Sequence, residues 1–286
     1  MEKPFPFKDF ILITGLPRTG TTLAGKVIGS CQQVEYFFEP PLIPTFFHHM
    51  AALPTEQIKA LFEAYCIQEL MNQALSGRRL NFNSNDDSYI GNYKEPASWE
   101  QRLLKSYRAS ELAALSHASI FCMKVPGVAH SLKTIKALYP EIKIVLITRD
   151  FNSIARSIRA KGWFNSENPN IIYPSKRVGN DFVPSMVPDP WANQWSDLNE
   201  EERIAVYIFS QLEGLETAPK DYVLHYDSFV NDPKIFPNLL DSMGLKYGTK
   251  TAPLLESIQA HPYAKFSMAS KVRDEIRERA MRFGMV

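Results

Sequence analysis

Residues 10–23, FILITGLPRTGTTL, most constrain what this chain can fold into. The first five are apolar or β-branched, as expected of a buried strand. A turn with Gly15, Pro17 and Gly20 follows, and hydroxyl residues then open a helix. Because a strand–loop–helix of this kind directs several backbone N–H groups and the positive end of a helix at one point, we expect that point to bind a phosphate.

The spacing within the turn narrows the class of phosphate site. Four residues separate Gly15 from Gly20, and Thr22 follows two positions later, which is the frame of the nucleotide-binding P-loop. Where ATP and GTP enzymes carry a lysine, this chain has Thr21, and the nearest positive charge is Arg18 inside the loop. The alternative interpretation is an ordinary glycine-rich turn, but the surrounding pattern favours a phosphate loop.

Length and composition exclude several classes of protein. With 286 residues, 45% of them hydrophobic, the chain can bury the core of one large domain or two small ones. A net charge of +1 does not indicate a nucleic-acid partner. The N-terminus has no apolar run before a cleavage site, and no stretch approaches the roughly 18 apolar residues of a membrane helix. We therefore expect a cytoplasmic protein without a transmembrane segment.

The cysteines indicate a reducing compartment. Cys31, Cys66 and Cys122 are odd in number, far apart and in apolar surroundings. Their spacing does not match a metal site, so we predict reduced thiols in the core.

Strands alternate with helices along the chain. We predict nearly all-apolar strands at residues 10–14, 34–38, 120–125, 142–148 and 222–226. Predicted helices cover residues 21–29, 55–75, 99–115, 131–138, 151–161, 200–215, 233–243 and 270–282. This alternation indicates an α/β fold with a five-stranded parallel sheet flanked by helices.

Ionisable residues lie within a few residues of the carboxyl ends of four of the five predicted strands. They are Arg18, Glu39, Lys124 and the pair Arg149-Asp150. Since ligands of parallel α/β sheets bind outside the carboxyl ends of the strands, we expect these side chains to share one site.

The residue types at these positions favour one kind of group transfer. A P-loop phosphoryl transferase needs its lysine and a magnesium ion held by an aspartate at a strand end. Here the strand at 142–148 ends in Arg149, which would repel a metal but bind a phosphate. A neutral SO₃-like centre needs no metal, because only the charge on the bridging oxygen must be stabilised. Arg18, Lys124 and the helix amides are suited to that task.

Several motifs carry a family resemblance. GLPRTGTTL resembles the 5′-phosphosulfate loop of sulfotransferases that use 3′-phosphoadenosine 5′-phosphosulfate (PAPS), and TRDFNSIARS is similar to their 3′-phosphate motif. VEYFFEPPL resembles the acidic segment of the carbohydrate branch, and the spacing from Arg18 to Glu39 matches that of the loop arginine and catalytic glutamate in tyrosylprotein sulfotransferases. The segment leading from Lys124 to Arg149 is also similar. The resemblance covers about residues 11–39 and 120–157.

The chain departs from the family pattern in places. Thr19 stands where serine is commoner, and Phe151-Asn152 replaces small or proline residues after the Arg-Asp pair. The histidine base and loop lysine of the cytosolic phenol and steroid branch have no counterparts at matching positions. The chain therefore resembles the branch with a glutamate base more closely.

The resemblance implies a P-loop-like three-layer sandwich, with residues 1–286 as a single sulfotransferase domain. The expected reaction transfers a sulfuryl group from PAPS, without a metal, to an acceptor hydroxyl on a carbohydrate, a lipid or a small alcohol. Neither the acceptor nor the oligomeric state follows from the sequence.

The resemblance also implies roles for individual residues. The 5′-phosphosulfate is expected at Arg18, Thr19, Gly20, Thr21 and Thr22. The 3′-phosphate is expected at Arg149, Ser157 and Ser153, the adenine near Tyr226, and the sulfuryl oxygens near Lys124. Glu39 is the predicted general base, with Arg18 and Lys124 completing the catalytic group.

Several assignments leave alternatives open. Glu39 has a second interpretation as a salt-bridge partner of Arg18 or Lys124, and His48 and His49 are reserve bases. Residues 162–198 form a predicted substrate lid rich in aromatic side chains, although packing of those side chains beneath a loop explains them equally well. A basic segment with Lys265, Ser267 and Lys271 is either a cover for the nucleotide or a solvated helix start.

Two other functions fit the same motifs. One is a P-loop kinase with a displaced basic residue. The other is a non-catalytic protein that binds a nucleotide.

Overall fold

The computed structural model describes residues 6–165, 174–232, 234–259 and 272–282. Its strands are β1 (Asp9–Gly15), β2 (Val34–Phe38), β3 (Ile120–Lys124), β4 (Lys143–Thr148), β5 (Ser175–Val178), β6 (Asp181–Pro184) and β7 (Tyr222–His225). Five of them form one sheet in the order β2-β3-β1-β4-β7, with all four pairings parallel. β5 and β6 form a separate antiparallel hairpin.

The helices in chain order are α1 (Thr21–Ser30), α2 (Ile43–His49), α3 (Thr55–Ala64), α4 (Asn72–Leu75), α5 (Pro96–Leu104), α6 (Ala109–Ala118), α7 (Leu132–Leu138), α8 (Phe151–Ala160), α9 (Asp189–Ala192), α10 (Glu200–Glu216), α11 (Tyr226–Asn231), α12 (Ile235–Ser242), α13 (Thr251–Glu256) and α14 (Asp274–Arg282). A π-helical segment, Tyr65–Met71, joins α3 to α4. Short 3₁₀ turns lie at Met50–Ala52, Ile90–Asn92, Ala129–Ser131 and Trp195–Asp197.

The sheet is buried on both faces because its strands are apolar on both sides. In β1, Phe10 and Leu12 pack into one hydrophobic cluster with residues of α8 and α10. Ile11 and Ile13 pack into a second cluster with residues of α1 and α12. Alternate side chains of a strand point to opposite faces, so this division places helices on both sides of the sheet. The predicted α/β sandwich with a five-stranded parallel sheet is confirmed.

Two predicted helices differ from the observed ones. The helix predicted at 99–115 is interrupted and forms α5 and α6, because the Glu111 carboxylate accepts the N–H of Arg108 at 2.8 Å and starts a new helix there. The helix predicted at 55–75 is continuous but contains the π-helical segment. Of the helix predicted at 270–282, the described part begins at Asp274.

The segment 162–198 contains the β5–β6 hairpin and α9 rather than loop alone. Its Phe164, Trp191 and Trp195 are buried in the first cluster, so packing beneath the segment accounts for these three side chains. Tyr173 lies outside the described residues.

The buried thiols agree with the prediction from the sequence. Cys31, Cys66 and Cys122 are all buried and free of disulfides. Burial raises the pKa of each thiol, to about 11 for Cys31, so these groups stay protonated and unreactive at neutral pH.

The helix that follows the phosphate loop packs very closely on β2. A Cβ atom added at Gly25 would lie 2.1 Å from the hydroxyl oxygen of Tyr36, so only glycine fits there. The same hydroxyl is buried and, among the described residues, has no hydrogen-bond partner. The aromatic ring of Tyr36 therefore contributes packing while its oxygen carries a desolvation cost.

Two substitutions test this contact. We expect Gly25→Ala to lower the free energy of unfolding by about 1–3 kcal/mol, because overpacking outweighs the better helix propensity of alanine. We expect Tyr36→Phe to leave it unchanged or to raise it by up to about 1 kcal/mol, since it removes an unsatisfied hydroxyl. Urea unfolding measures both, and a Gly25→Ala protein as stable as the parent would contradict the close packing.

Candidate active site

A cleft of about 770 Å³ lies at the carboxyl edge of the sheet. Residues from the ends of β1, β2, β3 and β4 and from the start of α1 line it. The predicted site residues among them are Arg18, Gly20, Thr21, Thr22, Glu39, Lys124, Arg149, Ser157 and Tyr226. The parallel register accounts for this convergence, because Ile13 and Phe38 both pair with Lys124 at the same level of the sheet.

The start of α1 forms one wall of the cleft. Gly20 precedes the helix with φ 94°, and no side chain caps the first turn. N–H groups in a first turn have no partner within the helix, so this end is suited to an anion. A Cβ atom at Gly20 would lie 2.3 Å from the ring of Tyr226, so both the backbone angle and the space require glycine.

Two arginines and a serine meet beside the helix start. The Nε of Arg18 donates to the hydroxyl of Ser157 at 2.9 Å. Arg149 donates from Nη1 to the backbone carbonyl of Arg18 at 3.0 Å, and its guanidinium lies 4.0 Å from the ring centroid of Tyr226. The loop arginine and the strand-end arginine therefore lie on the same side of the cleft, where their charges add.

Asp150 determines where α8 begins. Its carboxylate accepts the N–H groups of Asn152 at 3.3 Å and Ser153 at 2.8 Å, so the helix starts at Phe151 despite the unusual Phe151-Asn152 pair. One turn later, Ser157 reaches the cleft. Ser153 is not among the residues that line it.

Lys124 and Glu39 form an ion pair at the sheet edge. Lys124 is only 2% exposed, and its ammonium donates to Oε1 of Glu39 at 2.5 Å and to the hydroxyl of Thr22 at 3.1 Å. It also lies 3.8 Å from the ring centroid of Phe38. Burial lowers the pKa of the Lys124 ammonium, and the Glu39 carboxylate opposes that shift. The Glu39 side chain is 43% exposed, so one side of it remains accessible from the cleft.

The backbone is strained where the cleft residues leave the sheet. In the described ranges, the non-glycine residues with positive φ are Arg18, Gln33, Glu39 and Leu42. Arg18 has φ 72° and Glu39 has φ 41°. Left-handed geometry costs about 1–3 kcal/mol per residue and concentrates at functional sites. At Glu39 the N–H bond to the Lys124 carbonyl, at 3.0 Å, helps to hold it.

Three of the cleft residues with polar or charged side chains were not identified from the sequence. Lys26 and Asp87 form an ion pair at 3.1 Å, and Tyr207 on α10 also lines the cleft. Burial raises the pKa of Tyr207, with Glu39 adding to the effect. The position of Lys26, four residues after Thr22 on one helix, is a usable signal. Asp87 and Tyr207 come from distant segments, and nothing local marks them.

Other predicted candidates lie elsewhere. Thr19 is fully buried and donates its hydroxyl to the carbonyl of Leu16 at 2.7 Å, so it stabilises the loop from behind. His48 packs against His49 and against His130, with ring centroids 4.8 and 5.2 Å apart, and neither reserve base is among the cleft-lining residues. Lys265, Ser267 and Lys271 lie outside the described residues.

The cleft is electropositive. Its charged lining residues within the described ranges are Arg18, Lys26, Lys124 and Arg149 against Glu39 and Asp87, and each carboxylate is paired with a lysine. No group of three histidine, cysteine or acidic residues suited to a metal occurs in the part of the chain that the structure describes. In that same part, no helix combines the length and the apolarity that crossing a membrane requires.

The chain was compared with solved structures and with curated proteins. It aligns with the sulfotransferase domain of the Synechococcus olefin synthase at 12% identity and a TM-score of 0.48, over 97% of this chain and 95% of that one. It aligns with a sulfotransferase from Mycobacterium tuberculosis at 15% identity and a TM-score of 0.46, over 98% of this chain and 77% of the other. A search of curated proteins gave no significant match.

A family model provides the decisive comparison. The model described as "Sulfotransferase family" matches residues 10–247, which include every described cleft residue named above. On this match, the chain belongs to the sulfotransferase family.

Proposed function

We propose that this protein is a PAPS-dependent sulfotransferase, formed by residues 1–286 as one domain, that makes an O-sulfate ester on a carbohydrate, a lipid or a small alcohol. The observation that carries the proposal is the meeting of Arg18, Arg149 and an uncapped helix start in one cleft. Such an arrangement is complementary to a nucleotide with two separate phosphates.

The residues present fit that nucleotide. The first-turn amides of α1 and the Thr22 hydroxyl are suited to the 5′-phosphosulfate, since no side chain caps this helix. Arg149 and Ser157 are suited to the 3′-phosphate. Because Arg18 contacts both Ser157 and Arg149, it connects the two anion sites and can contribute charge to either one.

PAPS supplies the sulfuryl group. A bond forms between the acceptor oxygen and sulfur as the bond between sulfur and the bridging phosphate oxygen breaks. The electron pair of the broken bond stays on the phosphate oxygen. Glu39 takes the proton of the acceptor hydroxyl as its oxygen attacks in line, and its 43% exposed side chain leaves an oxygen accessible for this purpose. Lys124 holds the carboxylate in position and supplies positive charge for the sulfuryl oxygens.

The second candidate function is a P-loop kinase with a displaced basic residue. The P-loop spacing of the glycines favours it. Against it, both carboxylates of the cleft are occupied by lysines. A single assay separates the two: PAPS with a chelator against ATP with magnesium, each offered with the same panel of alcohols. Turnover with PAPS supports our proposal, turnover with ATP alone supports the kinase, and binding of 3′-phosphoadenosine 5′-phosphate (PAP) without turnover supports the non-catalytic protein.

The role of Glu39 is tested by Glu39→Gln. We expect kcat to fall by about a hundredfold to ten-thousandfold, because the amide cannot accept the acceptor's proton. The amide oxygen can still accept the Lys124 hydrogen bond, so we expect PAP affinity, measured by calorimetry, to persist. Glu141→Gln, an exposed carboxylate remote from the cleft, is the matched control. Normal turnover by the Glu39→Gln protein would exclude Glu39 as the general base and leave it only its role as the salt-bridge partner of Lys124.

Recognition of the 3′-phosphate is tested by Arg149→Ala. The parent should bind PAP more tightly than adenosine 5′-monophosphate, which lacks that phosphate. Loss of a charged hydrogen bond should weaken PAP binding by about tenfold to a hundredfold and leave the monophosphate much less affected. Ser157→Ala should reduce the same preference to a smaller extent. A preference for PAP that survives Arg149→Ala would place the 3′-phosphate elsewhere.

A further inference from the structure

A second pocket of about 460 Å³ adjoins the cleft. The two spaces share Phe38 as a common wall, and Pro40 lines the second one. Glu39 therefore lies between two residues that border the second pocket. The Glu39 side chain lines the cleft and not the second pocket, so a molecule in the second pocket reaches the proposed base past Phe38.

The lining of the second pocket is aromatic and cationic. Tyr36, Phe38 and Tyr93 contribute rings, while Arg78 and Arg79 contribute charge. No carboxylate occurs among the described residues that line it. This combination suits a ligand with an apolar body and an anionic group.

The two arginines are held differently. Arg79 donates from Nη1 to the carbonyl of Glu69 at 3.1 Å, so it is partly committed to the protein. The side chain of Arg78 is exposed and forms no hydrogen bond or ion pair with the described residues. A ligand can therefore bind the Arg78 guanidinium without breaking a hydrogen bond of the kind that Arg79 makes to Glu69.

The loop that follows Arg79 lines both the cleft and the second pocket. Hydrogen bonds between its own residues hold it in place. Asn81 accepts the N–H of Asn83 at 2.9 Å, and its amide donates to the hydroxyl of Ser88 at 2.6 Å. Asn81 and Ser88 line the second pocket, whereas Asp87 between them reaches Lys26 in the cleft. One rigid loop therefore contributes to both sites.

The protein on the opposite side of the pocket is also irregular. Leu70, in the π-helical segment, lines the pocket. Such segments occur often at functional sites, because the wider turn displaces side chains from regular helical positions.

We propose that the second pocket binds the acceptor, and that the acceptor is a hydroxy acid: an apolar chain or ring with a hydroxyl at one end and a carboxylate at the other. The hydroxyl lies at Glu39, the apolar body packs against Tyr36 and Phe38, and the carboxylate pairs with Arg78. This rests on the proposed function and narrows its acceptor class.

The test uses ω-hydroxyalkanoates from octanoate to hexadecanoate, each compared with the diol of equal length. With PAPS, the parent should turn over the hydroxy acids with kcat/KM about tenfold above the diols, with an optimum at one chain length. Arg78→Ala should lower kcat/KM for the hydroxy acids by about tenfold and that for the diols by much less. Arg78→Lys should restore most of the loss because it keeps the charge. Lys133→Ala, an exposed lysine on α7, controls for loss of surface charge.

Calorimetry with the same probes, on the protein alone and with PAP bound, gives a readout that does not require turnover. Binding of hydroxy acids that Arg78→Ala weakens supports the proposal in either state. Equal preference for diols, or no effect of Arg78→Ala, overturns it. If PAP binds but no hydroxy acid does, the second pocket is not the acceptor site and the proposed function stands. If PAP fails to bind, the proposed function fails, while binding of hydroxy acids to the protein alone still tests the pocket.

Discussion

The ammonium of Lys124 is buried and must be paired, and this requirement determines how the site is arranged. Lys124 ends β3, an interior strand of the sheet, and is almost completely enclosed, so its ammonium requires partners. It finds Glu39 from one neighbouring strand and Thr22 from the helix that follows another. These contacts connect the acidic segment to the phosphate loop across β3. Removing the Glu39 carboxylate would leave the Lys124 ammonium uncompensated beneath the cleft, which gives this ion pair a structural value independent of any role in proton transfer.

The strands and the cleft edge could be predicted because the information is local. Four of the five apolar runs predicted as strands, such as residues 142–148, carry an ionisable residue at or near their carboxyl end, and the parallel arrangement brings those ends together. Glu39 next to Lys124, and Arg18 next to Arg149, follow from that rule alone. The break between α5 and α6 was missed because helical periodicity continues through it, and a single carboxylate decides where the second helix begins.

The acceptor side could not be predicted in the same way. Arg78, Asp87 and Tyr207 lie far from any motif, and they reach the cleft or the second pocket only through tertiary packing of long connections. Ser153 illustrates the converse. The resemblance places it at the 3′-phosphate with Ser157, but it is not among the residues that line the cleft, and its backbone N–H donates to Asp150 at the start of α8. Spacing along a helix predicts which residues share one face of it. Where that face lies in the molecule depends on the packing of the whole chain.

The sheet order also affects how this chain can be made. β1 lies at the centre of the sheet, but its neighbours β3 and β4 come much later in the chain. During synthesis on the ribosome, this apolar strand therefore emerges long before its partner strands do. Contacts of such large sequence separation form slowly. Until β3 and β4 have been synthesised, β1 therefore stays unpaired and prone to aggregation. We expect the nascent chain to interact with cellular chaperones at that stage.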